Sequence, residues 1–412
     1  MVHFISRRKK LLAAVFCLIF CLLCASAVCS RRKADKPYLF QPPKIGAKEK
    51  IFPLYKRSGR FYIKAALNGD EKYWMIDTGS SVCFVDLKYI QNAKLEEAAK
   101  IKSYSAFSDS EVMVYKIPRL FVNNILIENV DAAGVNDLIS ESDFELGGIL
   151  GANFFDQYIV KIDPDELTMT LYEPSGFKYA GTGQKKKFIY YNLTVHLKIK
   201  IDNRYEAIFM LDTGSRVSVF DYSYAKKNRF TEIDGPENQA SGAWGSAAIK
   251  AIRFPKAEVG GFILDNVVFY YPEKDPVKGG LSSSGEGGVI GNNILENFVL
   301  YIDYPNKVLY FEKGKNFNRQ LPTGRSGLAI KKNKDKLYEV IYISKKSAAE
   351  KAGLMVGDLI LAINGKDPDA IGNKDDVYSA LINKDGTKID LKILRQSKEL
   401  DIPLILSDPF KK

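Results

Sequence analysis

The chain of 412 residues repeats itself, and the repeat limits what it can fold into more than any other feature. In the first copy an alternating segment, Phe61 to Leu67, leads through Asn68-Gly69-Asp70 into Tyr73-Trp74-Met75-Ile76-Asp77-Thr78-Gly79-Ser80 and then Ser81-Val82-Cys83-Phe84-Val85-Asp86. The second copy runs from Val195 to Ile201, turns at Asp202-Asn203, and continues Ala207-Ile208-Phe209-Met210-Leu211-Asp212-Thr213-Gly214-Ser215-Arg216-Val217-Ser218-Val219-Phe220-Asp221. Later in each copy comes a shared apolar-apolar-Gly block, Gly148-Ile149-Leu150-Gly151-Ala152-Asn153-Phe154 and Gly288-Val289-Ile290-Gly291-Asn292-Asn293-Ile294. Each block leads into an Ile-Asp-containing segment, Ile162-Asp163-Pro164 and Ile302-Asp303-Tyr304-Pro305. A single Thr-Gly turn with an incidental Asp accounts for one copy but not for a registered pair.

Short alternating or β-branched runs separated by turns fill both copies: Tyr115 to Ile117, Ile125 to Ile127, Phe262 to Leu264 and Val267 to Tyr271. They predict two all-β lobes. Copies related by a pseudo-two-fold axis bring equivalent loops face to face, so Asp77 and Asp212 are expected to meet at that axis.

Composition removes several alternative chemistries. Of the two histidines, His3 lies in the N-terminal leader, leaving His196, which stands in the alternating run Thr194 to Lys200 and reads as a strand-face residue. Of the five cysteines, Cys17, Cys21, Cys24 and Cys29 are also in the leader, leaving Cys83. One imidazole with no Gly-x-Ser-x-Gly elbow argues against serine or cysteine nucleophilic catalysis. One histidine with one cysteine argues against the usual zinc sites, so no metal and no cofactor is expected. Gly285-Glu286-Gly287-Gly288 lacks phosphate-loop spacing. Without the four leader bases, 56 basic residues face 49 acidic ones; this mild cationic excess is spread along the chain, and no nucleic-acid partner is expected.

Over about residues 51 to 314 the arrangement resembles the pepsin and retroviral aspartic proteases. The resemblance assigns the catalytic carboxylates to Asp77 and Asp212, with Thr78, Gly79, Ser80, Thr213, Gly214 and Ser215 supporting the two loops. It implies that the threonine hydroxyls bond across the axis and that glycine lets backbone amides approach each carboxylate. Carboxylates within hydrogen-bond reach share a proton; the ionised member activates a water and the protonated one donates to the developing oxyanion. The sequence does not assign the proton to either aspartate. Hydroxyls at Ser80 and Ser215 are expected to donate to the outer carboxylate oxygens, lowering the pair's pKa and giving an acidic optimum. The family closes a hairpin over the substrate, and the candidate flaps are Ser105 to Ser110 and Ser241 to Ser246, with Phe107 and Trp244 as candidate subsite residues. Lobes of roughly 125 residues fall between a pepsin lobe and a retroviral subunit. Lys185-Lys186-Lys187 reads as a solvated linker between them.

A new pattern follows residue 321. Gly327-Leu328-Ala329-Ile330, Ser347-Ala348-Ala349-Glu350-Lys351-Ala352-Gly353-Leu354 and Val356-Gly357-Asp358-Leu359-Ile360-Leu361-Ala362-Ile363-Asn364-Gly365 together are similar to a bacterial-type PDZ domain. Gly353 suits a helix C-terminus and Asn364-Gly365 a tight turn. The resemblance assigns Leu328, Ala329 and Ile330 to capture of a peptide C-terminus or extended segment, with Asp375 to Asn383 as the groove helix. A PDZ module that only docks on the lobes is the alternative.

Arg7, Arg8, Lys9 and Lys10 precede the apolar run Leu11 to Cys24, and Ala25-Ser26-Ala27 has the A-x-A form of a secretory cleavage site. A removed signal peptide is expected; a retained membrane anchor through residues 11–29 and a lipidated Cys29 are the other readings. The expected order is a leader over 1–29, a spacer over 30–50, a first protease lobe over 51–176, a second over 186–316 and a PDZ domain over 322–408. The sequence thus points to an exported (periplasmic, cell-surface or secreted) mainly β endopeptidase acting on polypeptides. The rivals are a non-catalytic peptide receptor retaining the protease fold and, last, an anchored envelope protein.

Overall fold

Alternation becomes geometry in matching strands of the two copies. In a computed structural model, Arg60–Leu67 buries Phe61, Ile63, Ala65 and Leu67 on one face, and Thr194–Ile201 buries Val195, Leu197, Ile199 and Ile201. The structure describes residues 49–411 except 92, 105–108, 137, 139–144, 234, 243–244, 276–286, 320–324 and 336, together with Pro43 and Ile45. The expected leader lies outside the described residues. Among those residues no helix is long and apolar enough to cross a membrane.

Among the described residues the strands form four sheets, two of which are copies of one another. The first runs in the order Tyr55–Arg57, Arg60–Leu67, Asp70–Ile76, Leu146–Leu150, Cys83–Asp86, Ile125–Val135, Asp109–Val122, Glu96–Tyr104. The second runs Ile189–Tyr191, Thr194–Ile201, Tyr205–Leu211, Gly288–Ile290, Val219–Phe220, Phe262–Pro272, Gly245–Val259, Glu237–Gly242. Each sheet folds back on itself through one extra pairing, Ala65 with Val122 and Ile201 with Ala257. Asn68 and Gly69 take φ of 52° and 84°, as the two-residue hairpin from Leu67 to Asp70 requires. The equivalent loop between Ile201 and Tyr205 is one residue longer and uses Asp202 and Asn203 at φ of 52° and 54°.

The segments read as separate strands, Phe262 to Leu264 and Val267 to Tyr271, are one strand, Phe262–Pro272. Asp265-Asn266 looks like a turn, but Asn266 (φ 51°) sits opposite Pro255, which has no N–H to offer the ladder, and pairing resumes on either side. The first lobe repeats the device with Asn129 (φ 62°) opposite Pro118.

A third sheet joins the lobes: Glu49–Pro53, Thr168–Tyr172, Ile159–Asp163, Phe298–Asp303, Val308–Lys313, Gln184–Lys187. At its centre Lys161 pairs with its own pseudo-symmetric equivalent Tyr301, which places the two-fold axis there. Lys185-Lys186-Lys187 is therefore not a linker; it is the edge strand on Val308–Lys313, where lysines keep an exposed edge charged. The first lobe likewise begins earlier than expected, because Glu49–Pro53 pairs with Thr168–Tyr172.

The C-terminal module is a five-stranded antiparallel sheet, Leu328–Lys332, Tyr338–Ile343, Leu359–Ile363, Lys388–Arg395, Lys398–Ile405, with short helices Ala348–Lys351, Pro368–Ile371 and Lys374–Ala380. It has a separate core around Val340, Ala349, Val377, Leu381 and Ile393. Gly353 is left-handed (φ 76°) just beyond its helix, and Asn364-Gly365 (φ 50° and 75°) turns the chain.

Candidate active site

Asp77 and Asp212 each follow the end of a strand, Asp70–Ile76 and Tyr205–Leu211, and each backbone N–H donates to the neighbouring Gly-block strand, Asp77 to Leu150 O and Asp212 to Ile290 O, both at 3.0 Å. The shared second block exists to hold these loops. Asn153 Oδ1 accepts from Cys83 N (2.7 Å) while its Nδ2 donates to Asp131 O; Asn293 Oδ1 accepts from Ser218 N (2.8 Å) while its Nδ2 donates to Val268 O. A Cβ at Gly151 or Gly291 would come within 2.3 or 2.5 Å of Val82 O or Val217 O, so only glycine fits.

The loops are tied to each other by a reciprocal set of buried bonds. Thr78 Oγ1 donates to Leu211 O (2.8 Å) and accepts from Thr213 N (3.1 Å); Thr213 Oγ1 donates to Ile76 O (2.9 Å) and accepts from Thr78 N (3.1 Å). Both threonines are buried. Each carboxyl group lies against the other lobe's glycine: an ideal Cβ on Gly79 would be 2.5 Å from Asp212 Cγ, and one on Gly214 2.3 Å from Asp77 Cγ. The two carboxyls therefore sit side by side at the axis, each acting on the other's titration. Gly79 N donates to Asp77 Oδ1 and Ser215 N to Asp212 Oδ1, both at 2.9 Å.

Ser80 and Ser215 do not act as expected. Their hydroxyls donate away from the carboxylates, to Val82 O and Val217 O at 2.7 Å, closing small turns two residues on. Their hydroxyls therefore do not lower the pair's pKa; only their backbone N–H groups act in that direction. Asp77 is held well above the usual carboxylate range, first by loss of solvation, then by the charge of Asp212 and the hydrogen bond that protonated Asp77 donates to it. Burial also raises Asp212, but its bond with Asp77, the Ser215 N–H and the Arg60 guanidinium oppose that rise. Burial and mutual coupling thus raise both groups as a pair, with the Arg60 guanidinium acting on the Asp212 side of it.

Arg60, missed in the sequence, breaks the symmetry. It begins the strand after Ser58-Gly59, and its Nε donates to Gly214 O at 2.6 Å. Asn292 Nδ2 bridges Gly59 O (2.9 Å) and Thr213 O (2.8 Å), fastening the same hairpin to the second aspartate loop. On the opposite side the equivalent hairpin is held by Ser81 Oγ donating to Asn192 O. An alternating strand carries no local mark of an arginine aimed at another lobe.

Two apolar walls of matching origin flank the aspartates, on the sheet faces away from the lobe cores. One contains Met75, Val82, Phe84 and Ile149; the other contains their equivalents Met210, Val217, Val219 and Val289. Phe107 and Trp244 lie outside the described residues, although the hairpins carrying them, Glu96–Tyr104 with Asp109–Val122 and Glu237–Gly242 with Gly245–Val259, are formed. Cys83 is fully buried, its thiol pushed up to about 12 by burial, and accepts from Gly151 N. His196 is buried in its strand with Nε2 2.8 Å from Thr194 Oγ1. Among the described residues no group of acidic, histidine and cysteine side chains is arranged to hold a metal ion.

In the PDZ module the residues expected to capture a peptide are already engaged within the chain. Leu328 N donates to Ser326 Oγ, Ala329 pairs with Tyr342, and the Ile330 N–H and C=O both bond the Tyr378 hydroxyl (2.8 and 3.1 Å). Tyr378 sits on Lys374–Ala380, the expected groove helix, three positions after Asp375, whose carboxylate accepts from Ser58 N (2.5 Å) and Ser58 Oγ (3.1 Å) beside Arg60. Ser344 Oγ adds a bond to Glu237 O in the second lobe. The module therefore docks on the lobes, and strand addition at Ile330 requires Tyr378 to leave.

Comparison with known proteins agrees with this architecture. The Aspartyl protease family model matches twice, at residues 63–154 and 197–294, once per lobe, and the PDZ domain model matches residues 339–395. No curated protein matches the chain. Among solved structures, an aspartic proteinase from Irpex lacteus superposes with a TM-score of 0.47 at 12% identity, covering 66% of this chain and 98% of that one. Each lobe is thus matched separately by the aspartyl protease family and the C-terminal sheet by the PDZ family, so the chain combines two aspartyl-protease-like lobes with a C-terminal PDZ domain.

Proposed function

We propose that this protein is an exported aspartic endopeptidase in which Asp77 and Asp212 hydrolyse peptide bonds through a single activated water. The observation that carries this reading is the reciprocal threonine lock, which holds each carboxyl against the opposite glycine as one proton-sharing pair. Asp212, nearer Arg60, is the ionised member and takes a proton from the water as it attacks the scissile carbonyl. Asp77 donates its proton to the carbonyl oxygen as negative charge develops there. The pair then returns a proton to the departing amine, so no covalent intermediate and no metal enters the scheme. The flanking apolar walls serve as side-chain subsites for an extended polypeptide. The PDZ module, joined through Asp375 to the hairpin beside the site, acts on substrate access, and peptide addition at Leu328–Lys332 displaces Tyr378 to change it. The basic and apolar leader with its A-x-A sequence supports export.

The test is cleavage of an unbiased peptide mixture from pH 3 to 8, followed by mass spectrometry, with Asp77→Asn and Asp212→Asn beside the wild type. Loss of about 10³-fold or more in each variant is expected. Equal cleavage by wild type and Asp77→Asn rules the dyad out.

A further inference from the structure

The wall on the second lobe is already occupied. On Gly245–Val259 the residues Ile249, Ala251 and Arg253 follow one another on one face, opposite the face that sends Phe254 into the lobe core. Val268 and Tyr270 on the paired strand, with Val219 and Val289, complete an apolar surface that ends at the Arg253 guanidinium. The segment following the last PDZ strand, Asp408-Pro409-Phe410, lies on it. Phe410 packs against the apolar cluster, and Arg253 stands over its ring at 4.2 Å. The same guanidinium grips Asp408 in two parallel bonds, Nη1 to Oδ2 at 3.0 Å and Nη2 to Oδ1 at 2.9 Å. Asp408 Oδ1 also accepts from Phe410 N at 3.0 Å, which fixes the turn that presents acid and ring together. Three separate recognition elements thus meet on two side chains spaced two residues apart: an apolar seat, a cation above the ring and a fork for the carboxylate. In the first lobe the equivalent wall packs Leu138 of that lobe instead.

We propose that Arg253 and this wall form a specificity subsite for an acidic-x-aromatic segment of polypeptide, occupied in the resting chain by its own Asp408-Pro409-Phe410. The proposal rests on the endopeptidase reading for its consequence, because Met210, Val217 and Val289 of the wall flank the Asp212 loop. A polypeptide carrying Asp-x-Phe or Asp-x-Tyr must displace the resident segment, so the chain discriminates for that pattern and restrains itself in its absence. An intramolecular occupant at the millimolar effective concentration of a short tether weakens a competing peptide of about 100 μM intrinsic affinity by about tenfold.

Binding separates this proposal from the chemistry. A fluorescein-labelled hexapeptide of sequence Ser-Asp-Pro-Phe-Lys-Lys is titrated into the full chain carrying Asp77→Asn, which removes turnover, with and without Phe410→Ala. About tenfold tighter binding is expected when Phe410 is removed, abolished again by Arg253→Ala and by a peptide with Ala in place of Phe. Should Phe410→Ala fail to fold, Asp408→Asn carries the same expectation, since it leaves the ring and removes the charge that Arg253 grips. Equal affinity in all versions, or binding indifferent to Arg253, overturns the subsite even if the protein cleaves peptides. Specific binding with no cleavage by the wild-type chain leaves the subsite standing and defeats the endopeptidase reading. In an active chain, the cleavage map must show acidic-x-aromatic enrichment that Arg253→Ala erases.

Discussion

Replacing Thr213 by Val keeps the side chain's shape and deletes one oxygen, yet it strips partners from two groups on the other lobe. Ile76 O loses its donor and Thr78 N its acceptor, and both are sealed at the lobe junction. A buried polar group left without a partner costs about 1–3 kcal/mol, so with two such groups Thr213→Val is expected to destabilise the paired lobes by about 2–6 kcal/mol. Thr78→Val orphans a different pair, Leu211 O and Thr213 N, and should cost the same. Because the orphaned groups do not overlap, the double variant should lose nearly the sum of the single losses. Thr→Ser keeps every bond and should lose only about 1 kcal/mol for the methyl group. Urea unfolding followed by the fluorescence of Trp74, in a background with Trp244 replaced by Phe, reads these differences. If Thr→Val and Thr→Ser shift the transition equally at both positions, the cross-axis bonds are not what holds the pair together.

Gly214→Ala should leave a folded protein with cleavage reduced at least a hundredfold, since its Cβ would stand 2.3 Å from Asp77 Cγ; peptide hydrolysis and circular dichroism check the two halves of that statement. The raised pKa of Asp77 means that the folded state binds its proton more tightly than the unfolded chain does. Its contribution to stability is therefore full below the ordinary Asp value and is lost as pH rises through the folded value; Asp77→Asn should flatten that loss, as thermal unfolding at a series of pH values will show. Arg60→Gln removes a cation that favours ionised Asp212, so the acid limb of the pH–rate profile should move to higher pH while the alkaline limb, set by Asp77, stays. Cys83 should resist thiol reagents until the first lobe unfolds, and labelling with peptide mapping across a denaturant series would report that lobe directly.

The parts of this molecule that could be read from its residues are those where backbone geometry leaves little choice. Gly79 and Gly214 each lack room for a Cβ, Thr78 and Thr213 each need a hydroxyl, and Asn153 and Asn293 each bridge two backbone groups, so the duplication kept them visible. Local patterns misled where a residue type had two uses. Asp265-Asn266 has turn composition but sits mid-strand opposite a proline, and three lysines that read as a linker form an exposed sheet edge. Ser80 and Ser215 stand at the expected positions, but a carbonyl two residues away is the nearer acceptor. Contacts across large sequence separations left no trace to read. Arg60 reaches Gly214 and Arg253 reaches Asp408 only after lobes and PDZ module have docked, and neither arginine is distinguished from its neighbours along the strand.

The claim on which the rest depends is that Asp77 and Asp212 hold one proton between them. Infrared difference spectra of the wild type against Asp77→Asn, recorded from pH 4 to 8 with the band of a protonated carboxyl group as the readout, test it directly. One protonated carboxyl that persists above the ordinary carboxylate range in the wild type and vanishes in the variant is the predicted result. Spectra in which both carboxyls ionise together at the ordinary value, with no band lost on substitution, would contradict it.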